Sequence, residues 1–211
     1  GEFDENIHVI EPFKIPNDWQ DNISIDPGLN NPLSCHWYAK DYDGNIYVIA
    51  EHYEQNKTIE YHSQKIKEIS FSLGWKTTSN RMYQALIDSA ANQKTLSSPK
   101  SVSDLFYENG ILVNTKVNKD VLVGISKVKT FLKNIAGESK LFIFSNCKNL
   151  IREFKTYRWN GSDSPIKKDD HALDELRYYI TSLDSMNKTY KTAIQKDKEK
   201  LIRNLKINNE R

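Results

Sequence analysis

Asn22-Ile23-Ser24-Ile25-Asp26-Pro27-Gly28 is the stretch from which the fold is read. Its first five residues alternate, as a half-buried strand does, and Pro-Gly then stops the run. The carboxylate of Asp26 is left at the strand's end. Leu86-Ile87-Asp88-Ser89-Ala90 repeats the pattern, a short apolar run closed by one acid. A third acidic group, Asp169-Asp170-His171-Ala172-Leu173-Asp174, has helical spacing. There Asp170 and Asp174 are four apart, and His171 and Asp174 three apart, so they share or flank one face. A buried carboxylate is costly unless it is paired or holds a metal. Three such groups from distant parts of the chain point to one divalent-metal site and to phosphodiester chemistry.

The elements between these groups set the fold class. Residues 22–26, 34–40 and 45–52 read as strands, the last two joined at Asp43-Gly44, a tight-hairpin signal. Residues 58–73 switch to a helical period, with Ile59, Ile66, Ile69 and Leu73 on one side. Residues 85–88 and 111–114 are further short strands. Between them Pro99, Ser101 and Asp104 start a helix that Asn109-Gly110 ends. Helices follow at 121–135 and 147–158, with Leu141-Phe142-Ile143-Phe144 between them in an added hairpin or at the sheet edge. A polar loop at 160–168 leads to helices at 169–184 and 186–207. The expected fold is α/β: a ribonuclease H-like mixed sheet of five strands, the first three antiparallel, flanked by helices. In that order the first and fourth strands lie side by side. Asp26 and Asp88 then enter one crevice, and a late helix crosses above it.

The 211 residues suffice for one well-cored domain, expected over 10–185. Residues 1–9 are expected to be a tag or linker, since Gly1-Glu2-Phe3 resembles a cloning scar and no signal peptide. Residues 186–211 form a basic tail, with eight Lys/Arg against three Asp/Glu, able to lie along a phosphate backbone or to be a solvated helix. No apolar run approaches the ~20 residues of a membrane span. Cys35 and Cys147 lack metal-type spacing and read as free thiols in a reducing compartment. Neither G-x-x-x-x-G-K-[ST] nor G-x-G-x-x-G occurs, which excludes both kinds of nucleotide loop from these residues.

Four stretches resemble the nuclease domain of the large terminase subunit of tailed bacteriophages. They are Ser24-Ile25-Asp26-Pro27-Gly28; Tyr42-Asp43-Gly44-Asn45-Ile46-Tyr47-Val48 with Glu51 after it; Leu86-Ile87-Asp88-Ser89-Ala90; and Asp170-His171-Ala172-Leu173-Asp174-Glu175-Leu176-Arg177-Tyr178. Ile151-Arg152-Glu153-Phe154-Lys155-Thr156-Tyr157-Arg158-Trp159 supports the match more weakly. The resemblance spans roughly residues 10–183, and its strength lies in the order and spacing of stretches that are each weakly specific. It implies a metal-dependent endonuclease that cuts concatemeric viral DNA during genome packaging, in the cytoplasm of the infected bacterial host. It also implies two Mg²⁺ or Mn²⁺ ions, double-stranded DNA as substrate, and the portal protein and small terminase subunit as partners. The family's N-terminal packaging ATPase would lie outside these residues.

The expected roles follow. Two-metal hydrolysis places ions ~3.5–4 Å apart, held by hard oxygen ligands. Asp26 is the candidate to be shared by both ions, against a plain turn role before Pro-Gly. Asp88 would bind one ion, or merely cap the next segment. Asp174 is the third ligand that the family pattern favours. His171 is a ligand or a proton shuttle near the leaving group. Asp170 is a ligand or, with Asp169, an acid drawn to a helix N-terminus. Glu51 either supports the site from the third strand or pairs with a lysine. Arg152, Lys155, Arg158 and Arg177 either grip phosphates or line a solvated face. Trp37, Trp75 and Trp159 read as core rather than base-stacking platforms. Nothing reads base edges, so little sequence specificity is expected. The alternatives are a junction resolvase or integrase-like nuclease of the same superfold, an actin-like phosphate-binding domain, and a silent module that docks DNA or portal.

Overall fold

The structure is a computed structural model that describes residues 2–28, 31–94, 99–117, 120–157 and 170–183. Seven strands form one mixed sheet: β1 (Val9–Ile10), β2 (Gln20–Asp26), β3 (Leu33–Lys40), β4 (Ile46–Glu54), β5 (Tyr83–Ile87), β6 (Ile111–Asn114) and β7 (Leu141–Phe144). Their spatial order is β1-β7-β4-β3-β2-β5-β6. β2, β3 and β4 are antiparallel neighbours. β5 runs parallel to β2, and β6 parallel to β5. The mixed sheet with an antiparallel first half is as expected.

Local chemistry accounts for the turns. Asp41 accepts from Asp43 N, Asn45 N and Asn45 Nδ2, and Gly44 takes φ +80°, which closes the β3–β4 hairpin. Helix α1 is Glu5–His8, α2 is Ile59–Ser72 and α3 is Val102–Glu108. Ser101 and Asp104 form a reciprocal capping box on α3. Helices α4 (Val121–Leu132) and α5 (Lys148–Thr156) follow, and α6 covers residues 171–183. Neighbouring side chains of β3 separate the two helical layers. Trp37 donates to Ser70 of α2, whereas His36 and Tyr38 reach Glu175 of α6 from the other face. Ile23, Ile25, Trp37, Ile66, Ile87 and Phe106 belong to one buried cluster.

Two expectations fail at the sheet's far edge. The sheet has seven strands rather than five, because β7 and β1 extend it. β7 lies in no hairpin: it pairs parallel with β4, Ile46 opposite Leu141, and with β1, Val9 opposite Ile143. A two-residue strand carries no readable period, which is why β1 escapes sequence analysis. Nor do residues 3–9 behave as a tag. Phe3 stacks on Phe154 with ring centroids 4.6 Å apart, and His8 is buried with Nε2 2.9 Å from the Leu132 carbonyl oxygen. The expected loop 160–168 and helix 186–207 lie outside the described residues. Among the described residues no helix is long and apolar enough to cross a membrane.

Deleting residues 1–8 should therefore destabilise the domain by about 2 kcal/mol or more, the scale of one buried aromatic and one buried hydrogen bond. Urea unfolding would show a lower midpoint. An unchanged midpoint would mean that the segment contributes nothing.

Candidate active site

Ile25 of β2 lies opposite Ile87 of β5 in a parallel pair. The next residue on each chain is the acid, so Asp26 and Asp88 leave the sheet side by side. Gly28 sets the turn that follows Asp26. Its φ is +36°, and a Cβ there would stand 2.2 Å from the Pro32 carbonyl oxygen. Asp88 accepts from Ala90 N at 2.7 Å and so caps the short 3-10 turn Ser89–Asn92. The capping role expected as the plainer alternative thus coexists with a place at the crevice.

Helix α6 crosses above both acids. His171 Nδ1 is 3.1 Å from Asp26 Oδ2, and Tyr178 Oη donates to Asp88 Oδ2 at 3.1 Å. Asp174 pairs with Arg177 one turn on. Burial raises the Asp26 pKa, with Asp88 and Asp170 adding repulsion against the His171 hydrogen bond. Burial likewise pushes Asp174 up to about 6, with Asp170 and Asp26 adding to it and Arg177 opposing. The Asp26 hydrogen bond raises His171. Asp26, Asp88, Asp170, His171 and Asp174 therefore act on one another in one crevice.

Four residues to which sequence analysis gave no role hold this helix in place: His36, Glu153, Glu175 and Tyr178. Glu153 of α5 accepts from Ala172 N and Leu173 N at 2.8 and 3.0 Å, the open donors of the α6 N-terminus. Tyr53 donates to its other oxygen. Burial still drives the Glu153 pKa up to about 7. One turn beyond the crevice, Glu175 Oε2 meets His36 Nδ1 at 2.6 Å and Tyr38 Oη at 2.8 Å. His36 Nε2 is 3.0 Å from Glu51 Oε2. Both nitrogens of His36 thus face carboxylates, which accept and do not donate when ionised, so the ring carries both protons. Burial opposes that charge, but Glu175 and Glu51 overcome it and raise the His36 pKa to about 9. Glu51 also accepts from Asn149 N, Asn149 Nδ2 and Leu150 N, capping α5. Its partners are thus a histidine and a helix end, not the lysine expected as the alternative.

Of the basic residues, Arg152 and Lys155 lie on an exposed face of α5, the plainer alternative, and Arg177 does not. Arg177 is 8% exposed and tied to Asp174, so it offers no open hand to a phosphate. Lys155 is paired with Glu5 at 2.6 Å, and Arg152 lies over the Tyr53 ring. Arg158, Trp159 and Asp169 fall outside the described residues. Trp37 and Trp75 are core, as expected, and Cys35 and Cys147 are buried free thiols.

The carboxylates suit a hard divalent cation in kind: four acids border one crevice, and burial together with neighbouring carboxylates raises the proton affinity of Asp26 and Asp174. Their present positions are not those of a closed cage. Among the described residues no group of three or more His, Cys, Asp or Glu is arranged to hold an ion. Asp174 faces Arg177, Asp88 faces Tyr178 and Ala90, and Asp26 faces His171. Loading would require these carboxylates to turn from protein donors towards one another.

Residues 23–183 match the family described as the terminase RNaseH-like domain. A curated relative, the large terminase subunit of Escherichia phage T5, is 24% identical over 181 residues. The match covers 81% of this chain but only 37% of that protein. The nuclease domain of the P22 large terminase superposes with a TM-score of 0.69 at 16% identity, over 86% of this chain and 90% of that one. The large terminase nuclease domain of bacteriophage SPP1, solved with bound Mn, gives 0.51 at 20% identity, over 82% and 94%.

The raised His36 pKa has a measurable consequence. Its stabilising contribution is complete below about pH 6.5, the unfolded value. It is lost as pH rises through the folded value of about 9. Urea stability should fall between pH 7 and 9.5, and His36→Gln should be less stable at pH 7 and flatter across that window. A variant as stable as the parent, with the same pH slope, would remove His36 from its bridging role.

Proposed function

This chain belongs to the terminase RNaseH-like domain family, and on that premise we propose that it is a divalent-metal-dependent endonuclease that cuts concatemeric viral DNA during genome packaging. The chain spans little more than a third of the T5 relative, so the rest of the packaging machine enters only as part of this proposal. That machine comprises an ATPase region, the portal protein and the small terminase subunit, working in the cytoplasm of the infected host.

The observation that carries the reading is the crevice itself. Two parallel neighbouring strands end in Asp26 and Asp88 beneath a helix that bears His171 and Asp174. Asp26, central in this arrangement, is the residue to share between two ions. Asp88 and Asp174 would each hold one, and Asp170 is a further candidate ligand. Bound Mg²⁺ or Mn²⁺ would supply a water acidic enough to attack near neutral pH and positive charge for the departing oxygen. The bound Mn of the SPP1 domain supports this choice of ion.

His171 does a different job. Its hydrogen bond to Asp26 fixes the ring and favours the protonated form, which can give a proton to a leaving 3′ oxygen. Tyr178 orients Asp88. Glu153 and Glu175 fix the helix on which His171 and Asp174 stand. The substrate is double-stranded DNA. Contacts to base edges are not part of the proposal, so cutting should show little sequence preference.

Plasmid DNA incubated with the purified chain and Mn²⁺ or Mg²⁺ should be nicked or linearised, and excess chelator should stop the reaction. Asp26→Ala should lower the cleavage rate by a factor on the order of 1000, a loss of several kcal/mol of charge stabilisation. DNA affinity should change little. Cleavage that persists in chelator, or near-normal turnover by Asp26→Ala, would refute the proposal.

A further inference from the structure

Arg177 is an odd residue to find in such a crevice. Its guanidinium pairs with Asp174, the carboxylate proposed as the third metal ligand. It is almost fully buried, yet among the described residues its Nε has no hydrogen-bond partner. A guanidinium presents five donors in a rigid fork, and a site built to clamp it would use more of them. This one is held chiefly at its tip.

Its stem is held by shape. Gly124 lies within α4, and a Cβ there would meet Arg177 Cδ at 3.1 Å and Cβ and Cγ at 3.3 Å. A glycine inside a helix is less stable than alanine, so its presence marks a close approach. The notch at Gly124 is what lets the Arg177 stem lie against α4 and reach Asp174. Arg177 also borders a cavity of about 520 Å³ lined by Phe3, Val128, Phe154, Tyr157 and Leu173.

We propose that Arg177 is a built-in counter-ion: it occupies the Asp174 carboxylate while the metal is away and is displaced when a divalent cation binds. This rests on the metal reading given above. A guanidinium and a divalent ion on one carboxylate repel each other, so each weakens the other's hold. Such coupling is reciprocal. The contact keeps a half-buried acid charge-balanced without metal and lowers the affinity of the crevice for a divalent cation. Arg177 is thus a positioning residue for Asp174, not a group that touches DNA.

The test is a Mn²⁺ titration of the full chain at pH 7.5, following loss of the free-ion electron paramagnetic resonance signal. Arg177→Gln, which removes the charge, should bind Mn²⁺ roughly tenfold more tightly, within the span usual for coupled sites. Arg177→Lys, which keeps the charge, should stay near the parent. Heating in chelator and in Mn²⁺ gives a second readout: the metal should raise the Tm of Arg177→Gln more than that of the parent. Equal or weaker binding by Arg177→Gln would overturn the proposal, as would a Lys variant that binds as tightly as the Gln variant. Mn²⁺ binding by none of the proteins would instead overturn the metal reading beneath it. If Arg177→Gln does not fold, Arg177→Met makes the same test: it keeps an unbranched stem beside Gly124 and removes the charge. Mn²⁺ affinity should rise, and an unchanged affinity would overturn the proposal.

Discussion

A protonated imidazole held between two buried carboxylates is the contact on which the crevice depends. His36 bridges Glu51 of the same sheet and Glu175 of α6. Glu51 caps α5, α5 supplies Glu153, Glu153 caps α6, and α6 returns Glu175 to His36. The circuit closes on itself. Buried ion pairs of this kind add little net stability, because desolvation offsets the attraction. Removing one member is another matter, typically costing about 3–5 kcal/mol, because a buried charge is left unpaired. The circuit therefore specifies geometry more than it adds stability. It holds α6 at one height and one rotation over β2 and β5.

That placement explains how α6 can present His171 and Asp174 to two strand ends. Ser24 donates to the Glu175 carbonyl oxygen, and Tyr38 stacks on Tyr179 with centroids 3.8 Å apart. Two turns of α6 are thereby fixed to β2 and β3, and the N-terminal turn with His171 and Asp174 projects over Asp26. Its rigidity comes from buried partners. The exposed pair Lys155–Glu5, by contrast, contributes no more than about 1 kcal/mol. Several buried contacts hold the helix, whereas among the described residues the Asp174 side chain is engaged by Arg177.

Much of this was legible in the sequence, and the reasons differ by element. Asp26 and Asp88 were readable because each ends an apolar strand, and the alternating period locates strand ends well. The α3 cap at Ser101 and the hairpin at Gly44 were readable because turn chemistry is local. The supporting acids were not. Glu153 and Glu175 sit in amphipathic helices, where a glutamate ordinarily faces water, and only tertiary packing buries them. His36 looked like one polar residue in a strand, and its partners come from 15 and 139 residues away. Sequence leaves Arg177 between a phosphate grip and a solvated face for a similar reason: it gives the charge but not the burial or the nearest acid. β1 is not legible, and β7, legible as a strand at 141–144, does not reveal its parallel partners, because parallel pairing of very short strands is set by neighbours rather than by their own period.

The central claim is that Asp26, Asp88 and Asp174 close on one pair of cations. Crystals soaked in Mn²⁺, with anomalous scattering recorded at the manganese edge, test it directly. The account predicts peaks in the crevice at roughly 2.1–2.3 Å from oxygens of all three acids, near the distances of hard-cation sites. Peaks confined to other parts of the molecule, with Asp174 still paired to Arg177, would contradict it.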